Sequence, residues 1–163
     1  MEIVPYDPSW PATFAALRAN VLRALPDARV EHVGSTAVPG LASKPIIDID
    51  VIVATAADLS AAAVSLGRIG YVHEGDLGIP GREAFRPPAG LPPHHLYVCA
   101  QDSRELDRHL RFRDHLRGHA DTAAVYAALK RRLAAECGEH RAAYSAGKTA
   151  FVEAVLAGVR WVP

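Results

Sequence analysis

Two cysteines, Cys99 and Cys137, are all that the 163 residues contain, too few for a disulfide framework or a cysteine-built zinc site. Net charge is missing as well, because 18 Lys plus Arg balance 18 Asp plus Glu. That balance removes the electrostatic footprint of a dedicated nucleic-acid binder, so no nucleic-acid partner is expected, and only a local basic pocket stays compatible with the charge. No apolar run approaches the ~20 residues needed to span a bilayer. Glu2, Asp7 and the early prolines interrupt any signal-peptide core, and the expectation is a cytoplasmic protein with no membrane partner. No repeat or low-complexity linker divides the chain, so residues 1–163 read as one domain.

Hydrophobic spacing supplies the elements. Ser9 is a candidate cap for a first helix with Pro11 in its opening turn, where proline is tolerated. Phe14, Leu17, Val21 and Leu25 give that helix an apolar face, and Pro26 stops it. Strands are expected at 28–33, 45–53, around Tyr71 and Val72, and at 96–100, with an Ala-rich helix over 56–66. Glycine and proline crowd 75–93, which reads as a loop holding at most one strand near 82–86. Beyond residue 101 the chain turns helical: Asp102 with Glu105 predicts a capping box, followed by helices to Gly118, over 122–137 and over 139–159. Strands first and helices later predict an α+β fold, a small mixed sheet in about 1–101 and a helical tail in about 102–163.

The densest chemical signal is the segment Ile46-Ile47-Asp48-Ile49-Asp50-Val51-Ile52-Val53. Alternate residues of a strand share a face, so Asp48 and Asp50 point the same way, roughly 7 Å apart. Two close carboxylates in an apolar strand repel, and desolvation adds to the cost. A divalent cation with hard oxygen ligands offsets it, while a helix cap or an arginine partner is the plainer solution. Upstream, Gly34-Ser35-Thr36 forms a small-residue turn where backbone N–H groups can approach a phosphate.

The stretch from Glu31 through His32-Val33-Gly34-Ser35-Thr36-Ala37-Val38-Pro39-Gly40-Leu41-Ala42-Ser43-Lys44-Pro45 to Asp50 resembles the signature segment of the GrpB family. That family lies within the nucleotidyltransferase-fold superfamily, alongside DNA polymerase beta and the antibiotic nucleotidyltransferases. Similarity extends through Tyr6 to Trp10, Gly78 to Arg86, His94 to Val98, Leu110 to Leu116 and Tyr144 to Phe151. The resemblance implies that Gly34, Ser35 and Thr36 hold a nucleoside triphosphate, with Asp48 and Asp50 holding Mg²⁺ (or Mn²⁺) against its phosphates. Lys44, just before the aspartate strand, is a candidate phosphate-site cation, and Arg82 and Lys148 are the preferred ones because their surroundings most resemble the family pattern, although each also reads as a solvated surface charge.

The chain departs from active nucleotidyltransferases at the third carboxylate, which belongs on a late strand. His94-His95-Leu96-Tyr97-Val98-Cys99 has no acidic residue. His95 is a candidate general base in its place, or simply a hydrogen-bonding residue of the sheet. His115 with His119, and Cys137 with His140, have ligand-like spacings, but pairs alone make no zinc site. Two functions follow. One is a Mg²⁺-dependent nucleotidyltransferase acting on a small-molecule or protein acceptor, with Asp48, Asp50 and His95 as its catalytic residues. The other is a non-catalytic nucleotide- or phosphometabolite-binding module. The sequence leaves the nucleotide, the acceptor and the oligomeric state open.

Overall fold

The computed structural model describes residues 2–159 and residue 161. Helix α1 (Trp10–Ala24) precedes β1 (Arg29–Val33) and β2 (Ile47–Val53), and α2 (Leu59–Arg68) leads into β3 (Val72–Gly75). Strands β4 (Glu83–Arg86) and β5 (His94–Ala100) complete the sheet, and α3 (Arg104–Gly118), α4 (Ala120–Cys137) and α5 (Arg141–Leu156) follow. The sheet order is β1-β2-β5-β4-β3. All its pairings are antiparallel except β2 with β5, which run parallel. The result is the expected α+β arrangement, a small mixed sheet followed by a helical half.

Alternation within the strands gives the sheet two unlike faces. Val30, Ile47, Ile49, Val51, Phe85, Leu96 and Val98 lie on one face and pack against Trp10, Leu17, Val21, Ala62 and Leu66 of α1 and α2. On the other face, Leu106 and Leu110 of α3 cover Ile52 and Cys99. This leaves the rest of that face, including Asp48 and Asp50, beneath the helical half.

A second apolar cluster binds the helical half to the connection between β1 and β2, joining Val38, Leu41 and Ala42 to Leu116, Tyr126, Leu129, Leu133, Tyr144 and Phe151. Gly147 lets α4 and α5 close on each other: a Cβ there would lie 2.5 Å from Leu133 Cδ2.

Two predicted caps turn out differently. Ser9 has helical dihedrals and makes no side-chain cap; its N–H instead donates to Asp7 Oδ1 at 2.8 Å. The cap of α3 falls on Ser103, one residue after Asp102, and has no side-chain cap bond either. The Ser103 hydroxyl donates to the Gly81 carbonyl at 2.6 Å, a tertiary contact that takes it away from the helix end. A true capping box forms at Thr55 and Asp58, ahead of α2. The last two helices, expected over 122–137 and 139–159, run Ala120–Cys137 and Arg141–Leu156.

Candidate active site between the sheet and the helical tail

Asp48 and Asp50 do share a face, as the strand period requires. Their neighbours come from register: Asp48 lies between Val33 of β1 and His95 of β5, and Asp50 between Glu31 and Tyr97. Asp48 is part-exposed, with 31% of its side chain accessible, whereas Asp50 is fully buried. Each carboxylate gives one oxygen to a histidine. His95 Nδ1–H donates to Asp48 Oδ1 at 2.8 Å, and His109 Nδ1–H donates to Asp50 Oδ2 at 2.7 Å. Burial alone would push the His109 pKa down, but the hydrogen bond to Asp50 and its charge hold it above the usual histidine value.

The remaining oxygens are the ones a ligand could use. Asp50 Oδ1 is buried with no hydrogen-bond partner among the described residues, a costly state for a carboxylate oxygen. Asp48 Oδ2 lies against Gly34, where a Cβ would come within 2.2 Å of it. Gly34 also has φ +70°, a conformation that favours glycine. Two carboxylate oxygens suit a small hard cation that completes its shell with water and substrate phosphates, as Mg²⁺ does. Among the described residues no group of three or more His, Cys, Asp and Glu side chains converges on one point. The chain would therefore supply those two carboxylates rather than a closed cage.

Asp48 sits where two cavities meet, both also lined by Ser35, Arg82, Tyr97 and Lys148. One, of about 370 Å³, adds Lys44, Lys130, Tyr144, Ser43 and His95. Lys44 Nζ and Lys148 Nζ lie 4.1 and 4.4 Å from the centre of the Tyr144 ring. Lys130, 2% exposed, donates to the Ala42 carbonyl at 2.5 Å. Burial, then the charges of Lys148 and Arg131, push the Lys130 pKa down to about 7. Lys148 is lowered by burial and by Lys44, and Lys44 by burial and Arg141. None of the three lysines makes an ion pair with a described carboxylate. Asp48 acts on all three and Glu139 on Lys44, yet each pKa still lies below the ordinary lysine value, and cations crowded in this way form a site that a bound anion would stabilise.

The second cavity, of about 310 Å³, lies between the sheet face and the helices, reaching Glu105, Arg108, His109 and Phe112 of α3 and Val152 of α5. Arg82 stands at the junction with its guanidinium 4.1 Å from the Tyr97 ring centre. Its loop is tied to the start of α3 by the Ser103–Gly81 bond.

Of the sequence-predicted residues, Gly34, Ser35, Asp48, Arg82 and Lys148 line the second cavity. Lys44 and His95 line the first cavity, while Asp50 joins the site through His109. Thr36 is not brought in. It is 1% exposed, its hydroxyl donating to the Ile46 carbonyl at 3.4 Å and meeting His32 Nε2 at 3.0 Å, so it braces the turn from behind. On α3, within the segment that resembles the family pattern, Arg113 serves a structural role, held by Glu31 at 2.7 Å and by the His32 carbonyl at 3.0 Å.

Sequence reasoning missed His109, Glu105 and the Tyr144 platform. A signal for His109 was present: Leu106, His109, Leu110 and Arg113 follow one helical stripe, so two polar residues interrupt an otherwise buried face. Tyr144 and Lys148 are likewise four apart and share a face.

The GrpB protein family matches residues 1–157. The chain is 40% identical over 165 residues to UPF0157 protein PA4798 of Pseudomonas aeruginosa, with 96% of this chain and 66% of that protein covered. It is 32% identical over 155 residues to UPF0157 protein YqkA of Bacillus subtilis, covering 94% of this chain and 45% of the other. It thus spans about two-thirds of the first of those relatives and under half of the second. The crystal structure of GrpB from Enterococcus faecalis superposes with a TM-score of 0.85 at 32% identity over 96% of both chains. The MgGTP-bound Cid1 poly(U) polymerase superposes at 0.55 with 17% identity, over 81% of this chain and 44% of that one, which shows a shared nucleotidyltransferase-like fold. No helix among the described residues is long and apolar enough to cross a membrane. With the family match running from the first residue to the last helix, this chain belongs to the GrpB family.

Proposed function

We propose that this protein is a Mg²⁺-dependent nucleotidyltransferase moving a nucleoside monophosphate from a nucleoside triphosphate to an acceptor. The observation that carries the reading is that Asp48, two residues from Asp50 on the same strand face, lines the lysine-lined cavity. Mg²⁺ held by Asp48 and Asp50 would neutralise phosphate charge during an in-line displacement.

The other contributions come from the chain's own residues. Gly34 and Ser35 offer a turn that a phosphate can approach closely. Lys44, Lys130 and Lys148 attract and orient the phosphates that leave as pyrophosphate, and charge-assisted hydrogen bonds supply most of that stabilisation. Arg82, steadied on Tyr97, faces the phosphoryl group at the junction of the cavities. His95, oriented by Asp48, is the candidate proton acceptor, a geometry in which the carboxylate fixes the tautomer and leaves Nε2 free.

One observation favours a second reading, the binding module. Strand β5 carries no carboxylate, and the buried Asp50 is closed on one side by His109. Thermal-shift and calorimetric titrations with ATP, GTP, CTP and UTP, with and without Mg²⁺ or Mn²⁺, test the proposal. The wild type is compared with the Asp48→Asn, Asp50→Asn double variant. Metal-dependent stabilisation by a nucleotide, lost in the double variant, is expected. Equal stabilisation of both proteins would remove the metal from the site and favour the module, and no response to any nucleotide would end the nucleotidyl-transfer reading.

A further inference from the structure

We infer that the cavity beside the α3 histidine is the acceptor pocket and that its acceptor is a small molecule, not the end of a polynucleotide or a protein side chain. This rests on the nucleotidyl-transfer reading and assigns the half of the site that reading leaves open. The lysine-lined cavity has the charge to take the triphosphate, whereas the second cavity has a different lining. Phe112 and Val152 form apolar walls, while Glu105, Arg108 and His109 supply polar groups. Apart from Arg82 and Lys148, which it shares with the lysine-lined cavity, its cations are matched: Arg108 bonds Glu153 at 2.7 Å and lies 3.4 Å from Glu105, and His109 bonds Asp50. A second polyphosphate therefore finds no unpaired lysine cluster there, except at the shared junction.

Size and lining decide the acceptor class. The cavity holds about 310 Å³, at the lower end of the ~300–1,000 Å³ typical of small-molecule sites. Its walls come from the sheet face and from α3, α4 and α5 together. The Arg108–Glu153 pair ties α3 to α5, and Arg111 donates to the Leu156 carbonyl at 3.0 Å, so the two helices are clasped at more than one point. An apolar body between Phe112 and Val152 would leave a hydroxyl or amine directed toward Asp48 and Arg82. That oxygen or nitrogen forms a bond to the α-phosphorus. The bond from the α-phosphorus to the bridging oxygen breaks, pyrophosphate leaves through the lysine cavity, and the acceptor's proton passes to Nε2 of His95, which Asp48 orients, and from there to solvent.

The experiment uses the full chain with α-³²P-labelled nucleoside triphosphate and Mg²⁺, offered three acceptor pools from one bacterial extract: low-molecular-weight solutes, total RNA and total protein. Wild type is compared with Val152→Trp, which fills the apolar wall, and with the milder Val152→Phe. Nucleotide affinity is measured calorimetrically for each protein. Label is expected in the low-molecular-weight pool, reduced roughly tenfold or more by Val152→Trp, with nucleotide affinity unchanged. If Val152→Trp fails to bind nucleotide or to fold, Val152→Phe carries the comparison, with a smaller reduction in the same direction.

Label in RNA or protein overturns the inference, as does transfer unaffected by either variant, or nucleotide binding by the wild type with no transfer to any pool. Those results leave the nucleotide site standing. Loss of nucleotide binding in the wild type itself removes the parent reading and this one together.

Discussion

The two faces of the sheet solve opposite problems with neighbouring residues of the same strands. Isoleucines 47 and 49 and Val51 point into a dry core, and Asp48 and Asp50, between them in sequence, point into the site. The adjacent histidines of β5 show the contrast most directly. His94 is 4% exposed; its Nδ1–H donates to the Pro92 carbonyl at 2.7 Å, and its Nε2 accepts the Tyr71 hydroxyl at 2.7 Å. Both ring nitrogens are used, and burial pushes the pKa down, so the ring is a neutral strut. His95 is exposed and engages one nitrogen with Asp48, which leaves the other available. Among the described residues the buried side-chain nitrogen and oxygen atoms left unpaired are Asp50 Oδ1 and Arg82 Nε, both on the side of the site and neither in the core. Unmet polar capacity on one side of a well-satisfied sheet locates the chemistry.

That contrast can be broken from either side. The largest effect is expected from Ile49→Ala, at a fully buried core position. It should lose about 2–5 kcal/mol of stability through transfer and cavity costs, with nucleotide affinity of the folded protein unchanged. Denaturant titration and calorimetry at a temperature well below the melting point measure the two quantities. Asp48→Asn, at the part-exposed carboxylate, should do the reverse, weakening metal-dependent nucleotide binding while the melting temperature changes little.

Acidification comes next. His32 is buried, stacked on Phe14 at 4.7 Å, and burial pushes its pKa from 6.5 down to about 4. Between those values the unfolded chain binds a proton that the folded chain does not, so stability rises with pH across the window and is lost as pH falls from 6.5 to 4. The loss should be on the order of 2 kcal/mol, and the His94 shift acts in the same direction. Melting temperatures of wild type and His32→Gln over pH 4 to 7 check this, the variant showing the shallower slope.

On the site face the corresponding titration runs the other way. A bound polyphosphate favours the charged form of Lys130, whose pKa lies near 7 in the free protein. Binding at pH 8 should therefore take up protons. Calorimetry with pyrophosphate in buffers of different ionisation enthalpy reads that uptake directly, and Lys130→Met should reduce it.

The smallest effect is expected from Tyr144→Leu, which removes the ring beneath Lys44 and Lys148. The loss should be about 1 kcal/mol of pyrophosphate affinity. A change as large as that from removing a lysine would mean the tyrosine touches the ligand itself.

How much of this was legible beforehand depends on how local each feature is. The Asp48/Asp50 pair, the Gly34-Ser35 turn and the β4 strand near Arg82 were readable, because each depends on a few consecutive residues. Thr36 lies in the same motif yet points inward, since the single 3-10 turn over Ser35–Ala37 rotates successive side chains to different sides. The predicted cap at Asp102 failed because α3 starts one residue later, placing Ser103 at the cap position, where its hydroxyl goes to the Gly81 carbonyl of a distant loop. Lys130 could be placed on a helix, but its burial against Ala42 depends on a contact 88 residues away in sequence.

By itself the sequence determined that two aspartates would share one strand face behind a phosphate-compatible turn, because side-chain alternation is a property of the local backbone. It also determined a helical second half with buried stripes. The tertiary structure alone decided which groups meet those aspartates. The parallel pairing of β2 with β5 brings His95 to Asp48 across 47 residues, and the path of α3 over the sheet brings His109 to Asp50 across 59. Long-range pairings of this kind are fixed by topology and by packing of the whole core, so no local pattern encodes them.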